Sequence, residues 1–244
     1  MSQLVIQISD KSYFNTTAQT NKTVIKNLQI TLIDNEFVCL VGPSGCGKTT
    51  LLNILANLDT QFTGSIELQP KHIPPKVGYV FQNPRLLPWR TVRENIQLAT
   101  GAKPETLDSL LDNMGLSTEK DSFPEHLSLG MSRRVSIIRA FATDPDLLLM
   151  DEPFVSLDPP TARLARKLLI ELWTKRAHKV LFVSHDLREA ITLADRLVFL
   201  SNSPMSVIKE VPVTIPRKER HEEMKIELFR QQLFIDYPEI TALL

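Results

Sequence analysis

Apolar and polar residues alternate over residues 4–8, with Ile6 and Ile8 on one face, and over 24–33, with Leu28, Ile30 and Leu32 on one face. A period of two is what a half-exposed strand requires, so both stretches are expected to be antiparallel strands joined by a polar loop over 15–21. Three short unbroken apolar runs read differently. Phe37-Val38-Cys39-Leu40-Val41 has the texture of a buried parallel strand, and Leu147-Leu148-Leu149-Met150 and Val180-Leu181-Phe182-Val183 read as strands of the same α/β pattern. Further strands are expected over 63–68, 77–81 and 196–200, with a last strand pair beyond Pro204.

Spacings of three and four mark the helices. Leu51, Leu55 and Leu58 share a stripe, and Leu107, Leu110, Leu111 and Met114 fall at i, i+3, i+4, i+7. Leu164, Ala165, Leu168, Leu169, Leu172 and Trp173 make one broad face. Residues 83–91 are turn-rich, with Pro84, Pro88 and an exposed-looking Trp89. From 84 to 140 the pattern is that of an all-helical insert in an α/β core. Residues 217–225 carry mixed charge and read as the solvated start of a helix.

Composition narrows the class. A chain of 244 residues suits one large α/β domain with a smaller lobe, or two small domains, and 43% apolar content is enough for a real core. Lys plus Arg and Asp plus Glu are 28 each, and this zero balance argues against a nucleic-acid binder. Cys39 in a buried strand and Cys46 in a loop do not make a disulfide framework, so a reducing cytoplasm is the expected setting. The N-terminus reads as a strand rather than a signal peptide, and no run approaches the ~18 apolar residues of a membrane span.

The chemistry concentrates where the 37–41 run ends. Gly42-Pro43-Ser44-Gly45-Cys46-Gly47-Lys48-Thr49 matches G-x-x-x-x-G-K-T, with a strand leading in and a helix leading out through Thr50. Glycines let the backbone wind so that successive N–H groups face phosphate oxygens, and the helix N-terminus adds partial positive charge. Lys48 would reach the β- and γ-phosphates, and Thr49 would place its hydroxyl on Mg²⁺. The apolar run at 147–150 ends in Asp151-Glu152, delivering two carboxylates at a strand tip. Asp151 suits the Mg²⁺ shell, and Glu152 suits the activation of an attacking water.

The order of the phosphate loop, Gln82, Leu127-Ser128-Leu129-Gly130-Met131, Asp151-Glu152, Ser156-Leu157-Asp158 and Ser184-His185-Asp186 resembles the ATP-binding-cassette ATPases of membrane transporters. The resemblance runs from Tyr13 to about Leu200. It implies an α/β fold: a P-loop NTPase core with a mainly parallel sheet, an N-terminal antiparallel β subdomain and a helical subdomain insert. The core would take 1–83 and 141–215 of a single 1–244 domain, with a helical signature subdomain at 84–140 and a helical tail at 216–244. Site roles follow from the same resemblance. Tyr13, with Phe14 as the alternative, would stack on adenine, and residues 42–50 would hold the phosphates. Thr49, Gln82 and Asp151 would surround Mg²⁺, while Glu152, His185, Gln82 and Lys48 would be catalytic. Ser128 and Gly130 would cap the γ-phosphate of a second subunit, and Asp158 would cross the dimer interface.

Residues 81–92, 142–154 and 183–190 are similar to the nitrate/sulfonate/taurine importer ATPases within that family. This implies ATP and Mg²⁺ as cofactors, a second ATPase subunit in a homodimer, transmembrane permease subunits, and indirectly a substrate-binding protein. The place would be the cytoplasmic face of the inner membrane, peripheral through the permease, with Leu87 and Trp89 bordering the permease groove. The usual signature begins Leu-Ser-Gly-Gly, whereas the third position here is Leu129, and Ser132-Arg133-Arg134 departs from Arg-Gln-Arg. Hydrolysis is therefore expected, slower than in relatives. The alternative is a binding or regulatory subunit crippled by Leu129. A cassette acting on DNA or ribosomes would show basic patches, and a small-molecule kinase would lack the 128–130 segment.

Overall fold

The computed structural model describes residues 2–15, 19–100 and 104–243. Of the loop expected over 15–21, residues 16–18 lie outside that set. In chain order the elements are β1 (Gln3–Asn15), β2 (Thr20–Ile33), β3 (Phe37–Val41), α1 (Lys48–Leu55), β4 (Thr63–Gln69) and β5 (Val77–Val80). They continue with α2 (Val92–Thr100), α3 (Pro104–Asn113), α4 (Leu129–Ala142), β6 (Leu147–Asp151) and α5 (Pro159–Lys175). The last are β7 (Lys179–Val183), α6 (Leu187–Leu193), β8 (Arg196–Leu200), β9 (Val207–Pro212) and α7 (Glu223–Asp236). The chain divides into two compact units, Met1–Pro75 together with Lys179–Leu244, and Lys76–His178.

The first unit holds two pieces of sheet. β1 pairs antiparallel with β2 on one side and β4 on the other, in the order β2-β1-β4. Its apolar alternation buries Leu4, Ile6 and Ile8 of β1 with Leu28, Ile30 and Leu32 of β2, as the period of two requires. The alternation then breaks. A register shift between Ile8 and Asp10 against β4 changes the parity, so Lys11 is the next side chain to be fully buried, and a second shift, between Lys11 and Ser12 against β2, follows it. In the second piece β3 lies between β7 and β8, parallel to both, and all five of its residues are buried. Phe37 meets Phe182 of β7 edge to face, 5.5 Å between centroids. β9 pairs antiparallel with β8, so the pair of strands expected beyond Pro204 is a single strand using β8 as its partner.

Two further expectations need correction here. Helix α1 stops at Leu55, and Leu58 lies past Asn57 at φ +57° and is exposed, so it belongs to a turn rather than to the buried stripe. The mixed-charge stretch at 217–225 is not uniformly solvated. Arg220 is buried and donates from Nε to the Ile215 carbonyl (2.8 Å) and from Nη1 to the Ala194 carbonyl (2.7 Å).

The second unit joins the parallel pair β5–β6 to helices. Helix α4 buries Val135, Ile137 and Ile138, while α3 contributes Leu107 and Leu111. On α5 the buried face is narrower than the sequence suggests. Ala162, Ala165, Leu169, Leu172 and Trp173 are inside, whereas Leu164 is exposed. Among the described residues no helix is long and apolar enough to cross a membrane.

Candidate functional site

In the first unit, β3 delivers the chain into a loop whose shape is set by Gly45 at φ +75° and Gly47 at φ +121°. A side chain at Gly47 would be strained by that φ and would put its Cβ 2.8 Å from Val24 Cγ1. Lys48 opens α1 and turns back over the loop. Its Nζ donates to the carbonyls of Gly42 (2.7 Å) and Pro43 (2.8 Å), and the side chain is buried. The ammonium therefore sits inside the curl of the loop, where phosphate oxygens are expected. Thr49 is exposed beside it, and Cys46 is buried with its Sγ 3.9 Å from Met205 Sδ.

Tyr13, near the end of β1, is tied to the far end of this same helix region. Its hydroxyl donates to Asp59 Oδ2 at 2.7 Å, and the Thr50 hydroxyl, two residues into α1, also hydrogen-bonds it. Burial is the largest influence raising the Tyr13 phenol, followed by the Asp59 hydrogen bond. Phe14 is 64% exposed, and none of these ties reaches it. Successive strand residues point to opposite faces, so the fold links Tyr13, rather than Phe14, to the loop-bearing helix.

His185 follows β7, exposed at the strand end. Its neighbours are firmly held. Ser184 Oγ donates to the buried Glu189 carboxylate at 2.6 Å, and Asp186 caps α6 by accepting from the Arg188 N–H (2.9 Å) and the Glu189 N–H (3.3 Å).

The second unit carries the carboxylates. Asp151 ends β6 and is buried, and Glu152 is the next residue, at φ +46°. A non-glycine residue at that φ is held by its surroundings rather than by its own preference. Gln82 and Arg133 contribute to the holding. Gln82 Nε2 donates to Glu152 Oε2 at 3.0 Å, and the buried Arg133 of α4 donates from Nη1 to the carbonyls of Glu152 (3.4 Å) and Pro153 (3.2 Å). Burial lowers the Arg133 guanidinium, and the Glu152 charge opposes that effect.

Ser128 caps α4, its Oγ accepting from the Met131 N–H at 3.2 Å. Gly130 lies against α5, where an added Cβ would come within 2.6 Å of Thr161 Cγ2. Leu129, between them, is 45% exposed. Asp158 caps α5 by accepting from the Thr161 N–H at 3.0 Å, and these hydrogen bonds from Thr161 lower its carboxyl. The structure thus brings Lys48, Thr49, Thr50 and Tyr13 together in one unit, and Gln82 and Glu152 together in the other.

Sequence reasoning missed Arg133 and two further residues that pin the turn-rich 83–91 segment. Asn95 is buried in α2. Its Oδ1 accepts from the Leu87 N–H (2.7 Å), and its Nδ2 donates to the carbonyls of Leu87, Arg90 and Thr91 (3.1, 3.0 and 3.0 Å). Arg139 of α4 donates to the carbonyls of Arg85 (2.9 Å) and Pro84 (2.8 Å). One signal was readable, because Asn95 stands on the stripe of Val92 and Ile96, where an apolar residue belongs. The pinned segment borders a cavity of about 400 Å³ in the same unit, lined in part by Tyr79, Phe81, Leu87, Leu98 and Arg139.

Of the residues expected at magnesium, Asp151 offers a carboxylate and Gln82 an amide in one unit, and Thr49 offers a hydroxyl in the other. Among the described residues no group of three or more His, Cys, Asp or Glu forms a cage of its own. One carboxylate with a hydroxyl suits an ion that keeps waters and shares phosphate oxygens.

The family model described as ABC transporter matches residues 25–155. The aliphatic sulfonates import ATP-binding protein SsuB of Bacillus subtilis (strain 168) is 32% identical over 96% of this chain and 94% of its own. SsuB 1 of Streptomyces avermitilis is 40% identical over 86% of this chain and 81% of its own, and SsuB of Mycobacterium sp. (strain MCS) 44% over 80% of each. Among solved structures, the dimeric post-hydrolysis state of the ATP-binding cassette MJ0796 bound to ADP and Pi superposes with a TM-score of 0.74. It is 27% identical and covers 87% of this chain and all of that one.

Proposed function

Because the chain belongs to the ABC transporter family as an ATP-binding cassette, we propose that it is the ATP-hydrolysing subunit of an importer of aliphatic sulfonates or related small anions. Homologous domains are ATPases coupled to import, and this chain is an enzyme of that kind. The sulfonate assignment follows the relatives' names, because an ATPase subunit carries no solute contacts of its own.

The observation that carries hydrolysis, beyond nucleotide binding, is Glu152. Its carboxylate is oriented by Gln82 at 3.0 Å and its backbone is fixed by Arg133, at the tip of the strand that also presents Asp151. In the proposed mechanism the loop N–H groups and Lys48 hold the triphosphate, Tyr13 stacks on the base, and Glu152 takes a proton from the attacking water. Thr49, Asp151 and Gln82 would hold Mg²⁺, which when bound would supply charge neutralisation for the triphosphate. His185 would donate to the γ-phosphate. Ser128 and Gly130 would serve the nucleotide of a second copy, with Asp158 at that interface, so hydrolysis would follow closure of a homodimer. Permease subunits would dock at the cavity lined by Leu87 and on the exposed Trp89 two residues further on, holding the chain at the cytoplasmic membrane face. A substrate-binding protein would deliver the solute on the far side. The 69% exposure of Trp89 supports a partner there.

A second reading is favoured by Leu129, whose exposed side chain follows directly on the Ser128 cap. In that reading the cassette closes on ATP but turns over poorly, and a partner supplies the better signature. The test is Mg·ATP turnover by the purified chain beside Glu152→Gln and Leu129→Gly. Turnover abolished by the first change and little altered by the second supports a working motor. Turnover that appears only with Leu129→Gly supports the second reading, and normal turnover in Glu152→Gln removes Glu152 as the base.

A further inference from the structure

A lysine side chain is almost never fully buried without a reason, because the ammonium must be desolvated. Lys11 is 1% exposed, and it stands on the core side past the register shift between Ile8 and Asp10 of β1. Its Nζ donates to Asp59 Oδ1 at 2.7 Å and to the Gln61 carbonyl at 2.8 Å. The same ammonium lies 4.3 Å from the centroid of the Tyr13 ring, and the other oxygen of Asp59 accepts from the Tyr13 hydroxyl at 2.7 Å. One carboxylate therefore holds both the cation and the phenol. The Thr50 hydroxyl adds a third tie from α1. Burial pushes the Asp59 carboxyl up, but the hydrogen bonds from Lys11 and Tyr13 outweigh it and hold it below its usual range.

A leucine at position 11 would fill the same space at less cost, so the charge has a further use. We propose that Lys11 is a positioning residue for nucleotide-base recognition: its ammonium covers one face of the Tyr13 ring, fixes the ring against α1, and leaves the other face as the platform for the base. A cation over one face draws π density toward itself, which favours stacking of an electron-rich purine on the opposite face. The carboxylate of Asp59 keeps the buried charge paired and stops the phenol from rotating away. The inference rests on the reading that Tyr13 stacks on the base.

The test measures binding of Mg·ATP and of inorganic tripolyphosphate, which has no base, to the full chain by calorimetry. Lys11→Met leaves Asp59 without its cation, so the double substitution K11M/D59N is made as well. It removes both charges and keeps an acceptor for the phenol. Both variants are expected to weaken ATP about 3- to 10-fold, the range of a partly desolvated cation–π contact, and to leave tripolyphosphate unchanged. Tyr13→Ala should weaken ATP selectively and by more, and adding K11M/D59N to it should cost nothing further. If tripolyphosphate weakens as much as ATP, Lys11 only supports the fold. If ATP affinity survives K11M/D59N but not Tyr13→Ala, the Lys11 role is wrong and the Tyr13 reading stands. Full ATP affinity in Tyr13→Ala removes both.

Discussion

At the scale of single residues, Lys48 shows how much a loop motif depends on one side chain. Its ammonium is held by two carbonyls of the loop it completes, at 2.7 and 2.8 Å, so the loop is shaped around a cation before any anion arrives. Lys48→Ala removes charge-assisted contacts worth ~1.5–3 kcal/mol each. It is expected to weaken Mg·ATP by about 10²-fold or more in a fluorescent-nucleotide titration; micromolar affinity retained would count against the loop assignment. The strand, loop and helix around 42–49, the acidic tip at 151–152 and the N-cap at Ser128 were legible in the sequence because each depends on local spacing, whereas any further role for Ser128 came only from the resemblance. Arg133 was not legible, because its role is to reach the carbonyls of Glu152 and Pro153 across sequence separations of 19 and 20 residues. A charged residue on a helix gives no sign of which carbonyl it will meet.

At the scale of elements, the segment after Gln82 is a loop with no ladder of its own, and Arg139 holds its first half while the Asn95 amide holds its second. Asn95 meets one N–H and three carbonyls of residues 87–91, and Asn95→Ala takes the side-chain partner from the Leu87 N–H and the Arg90 carbonyl, while the Leu87 and Thr91 carbonyls keep the backbone N–H groups of Arg90 and Asn95. Losing a buried polar hub of this kind should cost ~2–3 kcal/mol in urea unfolding. Tripolyphosphate binding, which belongs to the other unit's loop, should be spared. The strands at 37–41, 147–151 and 179–183 were readable because strands buried along their whole length are apolar almost throughout. The extension of β1 past Ile8 was not. Its alternation changes phase at the register shift, and a lysine occupies the inward position, which a period-two reading assigns to solvent. The width of the α5 stripe was overread for a related reason, since Leu164 is apolar yet outward-facing.

At the scale of the whole molecule, ionic ties fasten the N-terminal strands to later chain. Lys179 Nζ donates to Asp34 Oδ1 (2.5 Å) and Ser2 Oγ (2.8 Å), and the Ser2 N–H donates to Asp34 Oδ2 (2.6 Å). Partial burial pushes the Asp34 carboxyl up, but Lys179 and Ser2 outweigh it and hold it at about 2, against an ordinary 3.8. A depressed carboxyl stabilises the fold above the unfolded value, and that contribution is lost as pH falls from about 4 toward 2. Asp34 is 38% exposed, so screening leaves about 1 kcal/mol of it. Asp34→Asn should therefore unfold at lower urea than the parent at pH 6, and the gap should close as pH drops below 4. A gap that stays constant with pH would mean the tie is not ionic. The α/β class and the helical insert were both legible in the sequence, whereas the pairing of β9 with β8 was not, because one strand's pattern does not name its partner.

The position of β3 has a consequence for how the chain is made. Its five buried residues pair with β7 and β8, which leave the ribosome roughly 140 and roughly 160 residues later. At ordinary synthesis speeds of ~5–20 residues per second, that leaves Phe37–Val41 without its neighbours for roughly 10 to 30 seconds. A chain stalled or cut before Lys179 would present this sticky segment indefinitely. Such fragments should collect in the pellet unless a chaperone holds them, while the finished chain stays in solution.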